Sequence, residues 1–284
     1  MTEGGILGRM FPLVMAVLNV TPDSFSDGGR YLSPADALDR AQEMIAEGAD
    51  IIDVGGESTR PGAVATPIDV ELERVVPVIE ALAGRVRLSI DTRHEPVARA
   101  AVAAGADMIN DVSASLWSVA ADTGASWIAM HMVGTPADMQ NWAEYLDVVR
   151  EVRDFLVERA AVARAAGVAD VWIDPGIGFG KTLEHNLSLL GAIDELVATG
   201  FPVVVGTSRK AMLGQLTARS DARVGFGDGA ATASIDDRFA ASMSTATWAM
   251  TQGAAMVRVH DVRAHVHAAR VVAGQITARS DQAA

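Results

Sequence analysis

At 284 residues, 50% of them hydrophobic, the chain can bury one large core, and a β/α barrel of about 250 residues suits that length. No apolar run approaches the roughly 20 residues of a membrane span, the N-terminus lacks a signal-type segment, and the absence of cysteine excludes disulfides, thiolate metal sites and a cysteine nucleophile. A net charge of -13 without any Lys/Arg cluster argues against nucleic acid or a membrane surface as partner, so the chain reads as a soluble, cytoplasmic protein in which a few local groups must hold any anion.

Residues 1–10 read as a loose leader. Residues 12–19 are apolar almost throughout and predict a buried strand ending in Asn19, followed by a polar, Gly-rich stretch expected to be a mobile loop. Ser33 and Pro34 then start a helix to about Glu47, closed by Gly48. The alternation repeats along the chain. A strand at 50–54 leads through the loop 55–62 to a helix at 67–82, and a strand at 87–91 to a helix at 94–104 closed by Gly105. A strand at 108–110 precedes a short helix at 115–123, and one at 127–131 precedes a long loop and a helix at 143–166. Strand 171–174 leads to helix 183–199, and strand 202–206 to a helical segment ending near Thr217. Residues 218–236, rich in Ala, Gly and Asp, read as an inserted loop; a helix at 238–251, a strand at 255–259 and a helix at 264–278 finish the chain before a tail at 279–284. Apolar strands alternating with amphipathic helices predict an α/β fold, a single-domain (β/α)8 TIM barrel whose site lies at the C-terminal ends of the strands.

Those strand ends are polar. Asn19, Asp53, Asp91, Asn110 with Asp111, Asp174 and His260 with Asp261 close successive apolar runs, which describes one site built by many strands. In residues 171–181 the strand breaks on Pro175, and Gly176, Gly178 and Gly180 let the backbone fold tightly over an occupant. A buried Asp174 needs hydrogen-bond donors, from a ligand or from its own turn. Asp91, Asn110 and Asp174 together form a donor/acceptor rim suited to a flat heterocycle with an amide or amidine edge; the alternative is that they cap nearby backbone amides. Asn19, Arg209, Lys210, Arg258 and His260 supply donors suited to an anion, although any one alone is more often a surface charge. His131 reads as structural. No His/Asp/Glu spacing suggests a tightly held transition metal, whereas Mg²⁺ shared with phosphates needs only one or two oxygen ligands.

Residues 17–29, Val-Leu-Asn-Val-Thr-Pro-Asp-Ser-Phe-Ser-Asp-Gly-Gly, closely resemble the first signature of the dihydropteroate synthases, and residues 53–63, Asp-Val-Gly-Gly-Glu-Ser-Thr-Arg-Pro-Gly-Ala, resemble the second. Ser89-Ile-Asp-Thr92, Ile109-Asn-Asp-Val112, Asp174-Pro-Gly-Ile-Gly-Phe-Gly-Lys181, Ser208-Arg-Lys210 and Arg258-Val-His-Asp261 resemble the remaining motifs, in family order. The resemblance implies an enzyme of folate biosynthesis that joins para-aminobenzoate to 6-hydroxymethyl-7,8-dihydropterin diphosphate and releases diphosphate, by way of a pterin cation. It implies that Asp91, Asn110, Asp174 and Lys210 hold the pterin with Arg258 against its face. Asn19, Arg60, Arg258 and His260 would hold the diphosphate, with Mg²⁺ at Asn19. Phe25, Thr59, Pro61, Phe179 and Lys210 would border the aminobenzoate. Asp27 would close over the site and, with Thr59, Arg60 and Lys210, serve catalysis; the family habit is a homodimer. Two rivals are a non-catalytic pterin-binding paralogue, which should show altered loops, and a methyltetrahydrofolate-type methyltransferase, which would not need Ser-Thr-Arg-Pro-Gly or Ser-Arg-Lys. Within the insertion, Phe226 either lies on a plain surface loop or walls the pocket mouth, where it would confer sulfonamide tolerance by excluding a longer mimic of aminobenzoate.

Overall fold

Short apolar runs that begin and end on polar residues become the strands of one parallel sheet. The computed structural model describes residues 12–21, 34–60, 62–226 and 229–274. Its strands are β1 (Leu13–Asn19), β2 (Ile51–Gly55), β3 (Arg87–Asp91), β4 (Met108–Asp111), β5 (Ser126–Met130), β6 (Val171–Asp174), β7 (Val204–Val205) and β8 (Met256–Val259). They follow the order β6-β5-β4-β3-β2-β1-β8-β7, and a bridge from Ile173 to Val203 joins the two ends. The sheet is therefore a nearly closed (β/α)8 barrel, as the alternating pattern predicts. The residues assigned to the leader and the tail lie outside the described residues.

Around it run α1 (Pro34–Ala46), α2 (Ile68–Leu82), α3 (Glu95–Ala104), α4 (Trp117–Thr123), α5 (Val148–Ala165), α6 (Leu183–Gly191), α7 (Ile193–Val197), α8 (Ala211–Val224), α9 (Phe239–Thr251) and α10 (Val262–Val272). The pleat decides which side chains face them. Val14, Ala16, Ile52, Val54, Leu88, Ile90, Ile109, Ile173 and Val257 point outward into the main core beneath the helices. Their neighbours Leu13, Met15, Ile51, Met108, Ile128, Trp172, Val204 and Met256 point inward and plug the lower barrel with a second apolar cluster. With the bottom filled, the interior is left open only where the strands end.

Several helix boundaries differ from the sequence pattern; the final helix, expected over 264–278, runs from Val262 to Val272. The helix expected from residue 143 starts at Val148, because Asp147 caps it by accepting a hydrogen bond from the Arg150 amide, and residues 139–142 form a separate 3-10 turn. The helix expected over 183–199 breaks at Ala192 into α6 and α7. The inserted loop is shorter than residues 218–236: α8 runs on to Val224 and stops at Gly225, whose φ of 74° and N–H bond to the Asp221 carbonyl make a left-handed C-cap. The Ala, Asp and Arg residues at 218–223 sustain a helix as readily as a loop, and the stop signal is the glycine.

Pleat alternation also separates Asp111 from Asn110. Asp111 faces outward, where its carboxylate accepts from the amides of Ser113 (2.9 Å), Ser115 (2.7 Å) and Leu116 (2.7 Å) and from the indole N–H of Trp127 (3.2 Å). It is the buried anchor of the turn into α4. Asp111→Ala should strand those donors and lower the unfolding free energy by about 3 kcal/mol. Urea denaturation measures this, and a midpoint equal to wild type would rule out the anchoring role.

Candidate active site

The inward face changes from apolar to polar within one residue pair of the strand ends. Cross-strand register places Asn19 beside Gly55, Gly55 beside Asp91, and Asp91 beside Asn110, so these four positions share one level of the rim. Gly55 keeps that level open: a Cβ there would stand 3.4 Å from Asn19 Oδ1 and 3.6 Å from the Asp91 Cβ. Asp174 from β6 and Arg258 from β8, with His260 just beyond it, complete the inward set.

Arg258 organises the centre. Its Nε donates to Asp53 Oδ2 and its Nη2 to Asp91 Oδ2, both at 2.6 Å, while Asn110 Nδ2 donates to the same Asp53 oxygen at 3.0 Å. One guanidinium thus serves two buried carboxylates. Burial pushes the Asp91 carboxyl up to about 7 against the pull of Arg258, and the neighbouring Asp53 adds to the rise. Burial raises Asp174 as well, opposed chiefly by Lys210. Oδ1 of Asp53, Oδ1 of Asp91 and Oγ of Ser89 are buried without a hydrogen-bond partner among the described residues, which leaves acceptors facing the barrel interior for a ligand.

The Gly-rich turn after β6 is the second construction. Asp174 Oδ1 accepts the Gly176 amide at 2.7 Å. Gly176 has φ 65° and lies so close to β5 that a Cβ there would fall 1.9 Å from the His131 carbonyl oxygen. Lys181 ties the turn from inside, its ammonium reaching the carbonyls of His131 (3.2 Å), Gly176 (3.1 Å) and Phe179 (3.0 Å) and the His131 Nδ1 (3.0 Å). Burial lowers Lys181 to about 7 and His131 to about 3, so the imidazole is neutral and accepts from the lysine. His131, expected from sequence to be structural, has Lys181 as its partner. Lys210 donates to the Ile177 carbonyl, and its ammonium sits 4.4 Å from the centre of the Phe179 ring. Burial brings it down to about 8, with Asp174 pulling the other way.

Lys210 is aimed by strained backbone. Arg209 holds φ 60°, its amide donating to Ser242 Oγ (3.0 Å) and its carbonyl accepting from Arg238 Nη1 (3.0 Å). Its side chain ion-pairs with Asp261 at 2.7 Å, so Arg209 is committed to the β8 end as well as to the anion donors expected from sequence. His260 is anchored by Ser208 Oγ at 3.0 Å; burial, then Arg209 and Arg258, push it down to about 3, which keeps the ring neutral.

A cavity of about 570 Å³ opens over this floor, and Asn19, Thr59, Arg60, Asp91, Phe179, Lys210, Arg258 and His260 all line it. Asn110 and Asp174 are buried and absent from its wall; the positive charges of Lys210, Arg258 and Lys181 act on Asp174 against its burial. Phe25, Asp27 and Pro61 lie outside the described residues. Asp53, expected from sequence only as a strand end, is the carboxylate that fixes Arg258 across the intervening strand β1; two ionisable groups of opposite sign at strand ends was the available signal. Phe226 is 72% exposed and is not among the residues that line the cavity, whereas Gln215, Ile235 and Arg238 are. The sulfonamide-excluding wall expected of Phe226 is therefore not formed. Glu57, Glu71 and His94 bring possible metal-ligand atoms within 4.8 Å of one another, but their oxygens already serve Arg93, Thr92 and the Thr66 amide.

The pterin binding enzyme family matches residues 15–260. A dihydropteroate synthase of Mycobacterium leprae is 48% identical over 268 residues, spanning 91% of this chain and 92% of its own. The dihydropteroate synthase of Xanthomonas albilineans, solved with 4-aminobenzoic acid, superposes with a TM-score of 0.82 at 43% identity, covering 94% of each chain. The same enzyme in complex with 7,8-dihydropteroate superposes with a TM-score of 0.78 at 40% identity, again over 94% of each chain. With its motifs gathered at one barrel mouth, the chain belongs to the pterin-binding enzyme family, among the dihydropteroate synthases.

Proposed function

We infer that this barrel mouth condenses 6-hydroxymethyl-7,8-dihydropterin diphosphate with para-aminobenzoate to give 7,8-dihydropteroate and diphosphate. The observation that carries the reading is the polar floor of Asp91, Asn110 and Asp174, flanked by Lys210 and Arg258, beneath a cavity lined by further anion donors. The pterin amidine edge donates to Asp174, and Asp91 and Asn110 meet the ring nitrogens. Arg60, Arg258 and His260 take the diphosphate, and Thr59, Phe179 and Lys210 border the aminobenzoate.

The reaction breaks the methylene C–O bond, the electron pair leaving with diphosphate, and the aminobenzoate nitrogen then attacks the methylene and loses its proton. The described site offers no activated nucleophile, and an arylamine needs no strong base. Its task is to stabilise separated charge: the buried carboxylates of Asp53, Asp91 and Asp174 face the pterin cation, and the guanidinium groups face the diphosphate. His260, neutral at physiological pH, orients a phosphate oxygen rather than protonating it. Mg²⁺ suits Asn19, whose amide oxygen is a hard ligand on the open rim; one protein oxygen suffices when phosphate oxygens supply others, and the ion would offset charge on the leaving diphosphate. We place the enzyme in the cytoplasm as a homodimer, for which the exposed Phe239 and Trp248 of α9 supply apolar surface. Among the described residues no helix is long and apolar enough to cross a membrane.

Asp174→Asn replaces an acceptor with a donor facing the donors of the pterin edge, and should cost about 3 kcal/mol of pterin affinity, roughly a hundredfold in Kd. Calorimetric titration with the pterin diphosphate tests this; an affinity within about threefold of wild type would sink the assignment. The floor also predicts a pH response. Asp91 titrates near 7 and must be ionised to accept from the ring, while Lys210 titrates near 8 and is needed charged. Affinity for 6-hydroxymethyl-7,8-dihydropterin, which lacks a titrating diphosphate, should therefore rise with pH toward 7 and fall above 8. Affinity flat from pH 6 to 9 would remove both groups from pterin binding.

A further inference from the structure

We propose that Glu57 and Arg93 form a clamp that positions the loop carrying Thr59 and Arg60 over the cavity, making both of them positioning residues for the second substrate. The inference rests on the reading that aminobenzoate binds beside that loop. Glu57 opens the loop at the end of β2, and its carboxylate is almost fully buried, with 3% side-chain exposure. Oε2 accepts from Arg93 Nε at 2.9 Å and Oε1 from Arg93 Nη2 at 3.1 Å, a two-pronged pair. The same Oε1 accepts the amide of Thr66, nine residues on, at 3.1 Å. A single carboxylate therefore ties the start of the loop to Thr66, which limits the conformational freedom of Ser58, Thr59 and Arg60.

What surrounds the clamp makes it rigid. Gly56 lies so close to α2 that a Cβ there would fall 2.7 Å from Val75 Cγ1 and 2.9 Å from Glu71 Cγ, and its carbonyl accepts from Arg74 at 2.8 Å. Arg93 cannot swing away freely, because its neighbours hold a second buried carboxylate: Thr92 Oγ1 donates to Glu71 Oε1 at 2.7 Å, and His94 Nδ1 lies 2.6 Å from Glu71 Oε2. Although burial pushes the Glu57 carboxyl up, bonds from Arg93 and the Thr66 amide outweigh it and hold the group below its ordinary range, so it remains ionised at neutral pH. Glu57, Ser58, Thr59 and Arg60 follow one another along the cavity wall, so a displacement at Glu57 is passed directly to the two residues assigned to substrate. On the far side the Gly62 amide bonds to the Pro136 carbonyl at 2.9 Å, a further tie for the loop besides the clamp.

The test compares the full-length wild type with Glu57→Gln, Arg93→Met and Arg93→Lys. Each is measured for aminobenzoate KM and kcat at saturating pterin diphosphate, for affinity toward 6-hydroxymethyl-7,8-dihydropterin, and for Tm. Glu57→Gln and Arg93→Met should raise aminobenzoate KM about tenfold or more while pterin affinity stays within about twofold, because the pterin floor belongs to other strands. Arg93→Lys, which keeps the charge and loses the fork, should fall between. Unchanged aminobenzoate KM in the variants overturns the proposal, and so does a parallel loss of pterin affinity, which would mark general loosening of the fold. If Glu57→Gln fails to fold, the partly exposed Arg93 variants give the same reading. A wild type that fails to join the two substrates would instead overturn the function on which the clamp depends.

Discussion

Two buried carboxylates, Asp53 and Asp91, share one guanidinium, and the site depends on that imbalance. Arg258 meets both at 2.6 Å, yet a single positive charge cannot fully compensate two negative ones where water is excluded. Asn110 supplies a further donor to Asp53, and the remaining oxygens of both carboxylates are without partners among the described residues. Such a floor is costly to build and is satisfied only by a ligand that brings N–H donors or positive charge. In the proposed reaction a pterin would bring the donors and its cation the charge, so that binding and catalysis would draw on the same unmet electrostatic demand, a form of preorganisation that exists before substrate arrives.

The remainder of the molecule holds that floor in place. The apolar plug around Met15, Trp172 and Met256 fills the lower barrel, so the polar side chains at the strand ends have nowhere to sink. Gly176, wedged against the His131 carbonyl, and Lys181, bonded to three carbonyls, set the turn that carries Phe179 to the cavity. Across the mouth, left-handed Arg209, held by Ser242 and Arg238, delivers Lys210 to the same place. Every anchor uses a group that would be expensive to leave unpaired, so the site's geometry is fixed by the avoidance of unmet hydrogen bonds more than by contact area.

The overall charge of -13 gives an anionic substrate no attraction from afar. In the proposed reaction, selectivity for a diphosphate would fall to Arg60, Arg258 and the neutral His260, gathered within one cavity. Close-range recognition of this kind is weakly sensitive to salt, since its partners are largely shielded from it. Around the mouth Arg258 pairs with Asp53 and Asp91, and Arg209 with Asp261.

The sequence by itself determined the barrel, the direction of its strands and most of the residues at its mouth, because short continuous apolar runs ending in Asp, Asn or His and alternating with amphipathic helices make a parallel sheet buried on both faces. The family motifs added roles to Asn19, Asp91, Asn110, Asp174, Lys210 and Arg258. Helix ends were legible only where a single residue decides them; α8 outran its expected end because Gly225, rather than the Ala- and Asp-rich stretch before it, stops the helix. Tertiary structure alone decided the partners. Asp53 and Arg258 are 205 residues apart, Lys181 and His131 are 50 apart, and Glu57 and Arg93 are 36 apart. Which side of the pleat a residue takes follows from its neighbours along the strand, but which charge it meets depends on barrel closure and register, and these bring together residues that no local pattern connects.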